Sequence, residues 1–280
     1  GNGVPQPLWN DLRDDPYPGD GGRVRAYLVE AEPVGHTLNL ASTSVASGSV
    51  SSGSVTFAQT GPTQRLVLMS DNSDYVLMST YCIVPANQTT GTFKIWTYGV
   101  ANTTVATITA EFSGVTRTAN LTLTPATLDL LWLSPTAVVG GNPSMGNVRL
   151  IGKAPVGGAV VALATSNPAA ANHASSVTIS YGASLRQFPV STFGVDSTQN
   201  VTISATYLGV TRTALISVRP AALSALSLAT NTVKGGNPVV ATVTMTGKTG
   251  PLGRTVFLLS NQPKIIVPGS MYVPPQKFSW

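Results

Sequence analysis

Charge is scarce in this chain. Only 10% of its 280 residues are Asp, Glu, Lys or Arg. Strong helix formers such as Glu, Lys and Gln are correspondingly few, which excludes a protein built on long helices. There is one cysteine, Cys82, so no intramolecular disulfide can form. A secreted protein can do without one when its domains are large enough to own real cores, so the cysteine count does not fix the compartment. No apolar run reaches the roughly 18 residues that a membrane-spanning helix needs. The two histidines, His36 and His173, are far apart, and there is no HExxH, no cysteine pair, no GxSxG elbow and no phosphate loop. Acids are too sparse beyond the first 32 residues for a paired-carboxylate site. Asp71 and Asp74 in "SDNSDY" are the densest small group there, and they read as a polar turn, since calcium wants six to eight oxygens. The expectation is a chain that is not an enzyme and uses no cofactor or metal.

What is present in quantity is Gly, Ser, Thr, Ala and Val, with 42% hydrophobic residues overall. That content fills cores, so the chain is not of the disordered class. Thr- and Val-rich stretches broken by Gly and Pro predict many short strands joined by turns. The fold class expected is all-β.

One stretch is nearly repeated. "FSGVTRTANLTLTPA" at Phe112–Ala126 returns as "YLGVTRTALISVRPA" at Tyr207–Ala221, an offset of 95 residues. "LSPTAVVGGNP" at Leu133–Pro143 returns at the same offset of 95 as "LATNTVKGGNP" at Leu228–Pro238. A fixed long period marks a tandem array. The copies are placed at 36–126, 127–221 and 222–280, after an N-terminal segment of 1–35. Within a copy, Ile203, Ala205 and Tyr207 share one strand face and Thr202, Ser204 and Thr206 the other. Leu208-Gly209 then turns the chain, and Val210, Ala214, Ile216 and Val218 resume the apolar face. Period-2 alternation with one polar face means an antiparallel sheet packed on one side. Short strands about ten residues apart, in a unit of 90–95, fit a seven-stranded sandwich.

"GAVVALATSNPAAA", "SSVTISYGAS", "FPVST" and "VTISATYLGVTRTALISV" together resemble the bacterial immunoglobulin-like (Big-type) repeats of secreted and cell-surface proteins. The resemblance covers roughly 36–280 and is strongest at 127–221. It implies tandem sandwiches in a rod, an extracellular setting, and use as stalk, spacer or adhesin arm. It implies no catalytic residue, because such repeats share none.

Two regions depart from the repeat. The third copy ends at "YVPPQKFSW", with Phe278 placed by pattern opposite Phe188 and no counterpart of the last hairpin. Either the native chain runs on, or a strand from another chain completes this sandwich by β-addition. The donor candidate is "RVRAYLVEAEP" at Arg23–Pro33, where Val24, Ala26 and Leu28 alternate with Arg25, Tyr27 and Val29. The first 35 residues are Pro-rich, with Trp9 and Tyr17 among polar neighbours, which suits an extended segment anchored to a protein partner. The partner-contacting residues expected there are Leu8, Trp9, Tyr17, Val24, Tyr27 and Val29. This head carries six acids against three bases, and the remaining chain thirteen bases against five acids. Opposite charge on head and body favours self-association or an acidic polymer. Bases are scattered singly without an aromatic platform, so a nucleic-acid partner is not expected.

Function follows as a choice between classes. The first is a non-catalytic extracellular structural rod, serving as a cell-surface stalk or as subunit of a filament or layer. The alternatives are an adhesin or carbohydrate-binding arm using Tyr75, Tyr81, Trp96 and Tyr98 of the first copy, an accessory region of a larger secreted enzyme, and a virus or phage surface protein. Arg117 and Arg212, which recur in "GVTRTA", are expected as rim arginines whose stems cover the core edge. Trp132 is expected at a unit junction or in the core.

Overall fold

The computed structural model describes residues 35–280, and the partner-contacting residues expected between Leu8 and Val29 lie outside them. Among the described residues there is no helix, and hence none long and apolar enough to cross a membrane. The chain is an array of β-sandwiches.

The first sandwich holds β1 (His36–Leu40), β2 (Ser44–Ala46), β3 (Val50–Phe57), β4 (Arg65–Asp71), β5 (Val76–Met78), β6 (Tyr81–Val84), β7 (Thr90–Thr97), β8 (Thr104–Phe112) and β9 (Val115–Thr124). One sheet has the order β1-β3-β7-β5 and the other β2-β9-β8-β4-β6. The second sandwich repeats this plan with β10 (Thr127–Ser134), β11 (Ala137–Val139), β12 (Ser144–Ile151), β13 (Ala159–Thr165), β14 (Ala171–Asn172), β15 (Ser176–Ile179), β16 (Leu185–Thr192), β17 (Gln199–Tyr207) and β18 (Val210–Arg219). Its sheets run β10-β12-β16-β14 and β11-β18-β17-β13-β15. This immunoglobulin-like plan has nine strands where seven are expected from spacing. The opening strand is broken: β10 pairs antiparallel with β12, then the chain crosses at Pro135 and β11 pairs parallel with β18 in the opposite sheet. Pro has no N–H to continue the first ladder, so the break falls there. The short edge strand β14 supplies the other extra element.

The alternation in the sequence is realised in the cores. Val201, Ile203, Ala205, Ile216 and Val218 of the closing hairpin are fully buried, against Leu128, Val148, Val161 and Phe188. The hairpin turns need two successive positive φ values. Leu208 (φ 46°) and Gly209 (φ 77°) supply them, as Ser113 (φ 48°) and Gly114 (φ 75°) do in the first sandwich. Gly146 lies under the Phe188 ring, and Gly53 lies under that of Phe93 in the same way. A Cβ at either glycine would enter the ring, so the aromatic fills space that the glycine leaves.

The third unit has β19 (Leu223–Leu228), β20 (Ala241–Met245), β21 (Arg254–Phe257) and β22 (Ser270–Val273) in two two-stranded sheets. The expected match of Phe278 to Phe188 does not hold. Met245 donates to the Phe278 carbonyl as Leu150 donates to that of Ser184. Val243 bonds Trp280 where Val148 is in register with Arg186. Phe278 therefore matches Ser184, and it is exposed while Phe188 is buried. The match by sequence was to an aromatic, whereas the backbone ladder fixes the equivalence.

Candidate functional site: unit joints and outward sheet faces

Two kinds of surface stand out: the ends where units meet, and the outward faces of the first sandwich. No set of three or more His, Cys, Asp or Glu side chains converges on a possible metal position among the described residues. Asp71 forms the expected turn, accepting from the Ser73 N–H at 2.9 Å, and Asn72 accepts from Thr107 N–H at 2.8 Å. An open depression beside β1 and β9, lined by Leu38, Leu40, Thr43 and Thr122 among others, has no titratable side chain in its wall.

The joints are made of backbone. Between the first and second sandwiches, Lys153 N–H donates to the Ser47 carbonyl at 2.9 Å. Between the second and third units, Lys248 N–H donates to the Gly140 carbonyl at 2.7 Å. The glycines around these bonds recur too. Gly48 packs on Lys153 and Gly141 on Lys248, both with positive φ. Gly152 packs on Ser47 O, and Gly247 on Gly140 O. Gly99 faces the Ala154 carbonyl, which a Cβ would meet at 2.5 Å, and Gly194 faces that of Thr249. The second joint adds Gln276, whose side-chain amide exchanges hydrogen bonds of 3.0 and 3.1 Å with the Gly194 backbone. Asp196 there accepts from Leu252 N–H at 3.3 Å. Two backbones can approach this closely only where side chains are absent. Pro125-Ala126 and Pro220-Ala221 link successive units and restrict φ there, but the Gly-Lys pairs in "LIGKAP" and "MTGKTG", 95 residues apart, are what make the joint.

The arginines of "GVTRTA" act differently from a mere cover over the core edge. Arg117 Nε donates to the His36 carbonyl at 3.1 Å and Arg212 Nε to that of Asp129 at 2.7 Å. Each ties the closing hairpin to the first strand of the opposite sheet. Trp132 is at neither a joint nor a core. It is half-buried on the outward side of β10, in register with Asn147, while Leu131 and Leu133 point inward.

Of the four aromatics singled out in the first copy, three converge. Trp96 and Tyr98 project outward from β7 and its continuation, and the Tyr98 N–H bonds the Tyr75 carbonyl at 2.9 Å. Val50 and Leu77 flank Trp96 on either side in register, and all five side chains are exposed. Tyr81 belongs to the other sheet, where it is in register with Leu68, beside the Leu66–Ile83 pair. These four are exposed as well. The aliphatic members, Val50, Leu66, Leu68, Leu77 and Ile83, carry no aromatic signal in the sequence. An apolar residue at an outward parity is the signal that would have found them.

In the third unit, like-for-like leucines differ sharply. Leu128, Leu131 and Leu133 are 1%, 3% and 4% exposed beneath β17 and β18. Their counterparts Leu223, Leu226 and Leu228, each 95 residues on, are 53%, 54% and 58% exposed.

No protein-family model matches the chain, and no curated protein matches it. Solved structures do. The Escherichia coli adhesin FdeC aligns over 79% of this chain and 76% of its own, at 15% identity and TM-score 0.35. Invasin, described as a bacterial integrin-binding protein, aligns over 88% of this chain at 14% identity and TM-score 0.43, and the chain spans only 55% of it. Domains 4 and 5 of the S-layer protein SbsC align over 68% of this chain and 100% of theirs, at 13% identity and TM-score 0.32.

Proposed function

We propose that the chain is a non-catalytic extracellular structural protein: a rod of immunoglobulin-like units serving as a cell-surface stalk or as subunit of a surface filament or layer. The observation that carries this reading is the repeated joint. A chain that builds the same glycine-lined, backbone-bonded contact twice is holding its units in a fixed relation, which a flexible tether does not require. In the first and second units the strand that follows the opening strand pairs in parallel with the last strand, β2 with β9 and β11 with β18. Tension applied at the two ends then loads those ladders in shear, so the sandwich resists extension.

The units of this rod are taken as 36–126, 127–221 and 222–280. The N-terminal segment 1–35, through Leu8, Trp9, Tyr17, Val24, Tyr27 and Val29, is the proposed attachment point to protein partners or further copies. An adhesin or carbohydrate-binding arm is the competing reading. It needs a platform of aromatic faces, and Trp96 instead lies between two aliphatic side chains.

Labelling intact producing cells with a membrane-impermeant amine reagent tests the setting. The expected result is biotinylation of exposed lysines such as Lys94 without lysis. Labelling only after lysis would overturn the reading.

A further inference from the structure

Each outward face of the first sandwich carries an apolar patch among polar residues, and the second sandwich does without most of it. On the β1-β3-β7-β5 sheet, Val50, Leu77 and Trp96 form a row across three strands, with Tyr75 and Tyr98 in the next. Their counterparts in the second sandwich are Pro143, Asn172, Ser191, Ala170 and Phe193. On the opposite sheet, Leu66, Leu68, Tyr81 and Ile83 form a two-by-two block. Their counterparts are Val160, Ala162, Ser176 and Thr178. The same fold thus stands with small or polar residues at most of these positions. Exposed apolar patches that the fold does not require mark contact surfaces.

The two sheets of a sandwich pack inner face to inner face, so these patches point in opposite directions. They also carry opposite charge. Lys94 is outward on β7, two residues from Trp96, and Glu111 is outward on β8, in register with Leu68. We propose that the occupant of each patch is the other patch on a second copy of this chain. A contact between two different patches is heterologous. Because the patches face opposite ways, it leaves one of each free and extends into an open array. Charge complementarity between Lys94 and Glu111 sets the pairing of unlike faces, and like faces would oppose like charges. The patches also differ in height. Trp96 is close to the Gly99 joint, whereas Glu111 is beside the Ser113-Gly114 turn at the other end. Neighbouring rods are therefore staggered along their axes by about 20 Å, at roughly 3.3 Å per strand residue.

This inference rests on the reading of the chain as a surface filament or layer subunit, and one experiment separates the two. Full-length Trp96→Glu and Ile83→Glu variants are prepared, both at exposed positions, with circular dichroism as the folding control. Sedimentation velocity is run on the unmodified protein, on each variant and on their equimolar mixture. The unmodified protein should form large, concentration-dependent species. Each variant alone should lose them, and the mixture should recover a complex that stops at two chains. Association unchanged in both variants places the contact elsewhere, at the third unit for example, and overturns the proposal. Self-association of Ile83→Glu alone, equal to the unmodified protein, makes the contact isologous and also overturns it. So does a monomeric unmodified protein whose Trp96 face binds a glycan array. The rod reading survives all three results, since it depends on the joints.

Discussion

At the scale of the residue, glycine decides more than any charged or aromatic side chain. Gly99 is within a methyl group of the Ala154 carbonyl across the first joint. Gly99→Val should therefore separate the two sandwiches while leaving each folded. The expected signature is loss of exchange protection at the Lys153 amide, which now bonds Ser47 O, with core amides such as Val201 unaffected. Retained protection at Lys153 would contradict the account. Phe188 fills the space above Gly146. Phe188→Ala should cost about 3–5 kcal/mol, read as a lower melting temperature of the second sandwich with the first unchanged. Cys82 is buried, and desolvation raises its thiol above the ordinary range, more than a hydrogen bond with the Val55 backbone lowers it. A folded-state value above the unfolded one stabilises the fold at pH below the unfolded thiol value. That contribution is lost as pH rises through the folded value. Thiol reagents should leave Cys82 unmodified in the native state at neutral pH and label it once the first sandwich unfolds. Rapid native labelling would show that this core is open.

At the scale of the element, the closing hairpin does two jobs. Its inner residues fill the core, and its arginine reaches across to the opening strand. Arg212→Ala should lower the stability of the second sandwich by about 1 kcal/mol, the usual net worth of one hydrogen bond in an exposed setting. Arg212→Lys should not restore it, because a lysine cannot present an Nε–H in that direction. Equal stability of the lysine variant and the unmodified protein in chemical denaturation would contradict the clamp. The hairpin was the most legible element in the sequence. "VTISATYLGVTRTALISV" alternates except at Arg212 and Leu215, and Leu208-Gly209 has the turn chemistry the backbone uses. The broken opening strand was not legible, because β10 and β11 change sheets at Pro135 while their apolar residues continue. Nor was the equivalence of Phe278, since aromatic identity suggested Phe188 while the ladder selects Ser184. Sheet exchange is fixed by contacts far away in the chain, and local pattern carries little of it.

At the scale of the whole molecule, the repeat period gave the array, but it did not show what holds the units together. The Gly-Lys pairs repeat as faithfully as "GVTRTA", yet a glycine beside a lysine looks like any turn until the other unit is placed against it. The outward faces of the first sandwich were half legible. Tyr75, Trp96 and Tyr98 were visible as aromatics, whereas Leu66, Leu77 and Ile83 gain meaning only from their registers. The central claim is that the joints fix the relation of successive units. A pulsed electron spin resonance distance measurement tests it most directly, with labels at exposed Thr116 in the first sandwich and Thr178 in the second, the buried Cys82 staying unlabelled. The account predicts one narrow distance distribution that broadens in Gly99→Val. A broad distribution in the otherwise unmodified protein would show that the units swing freely, and would contradict it.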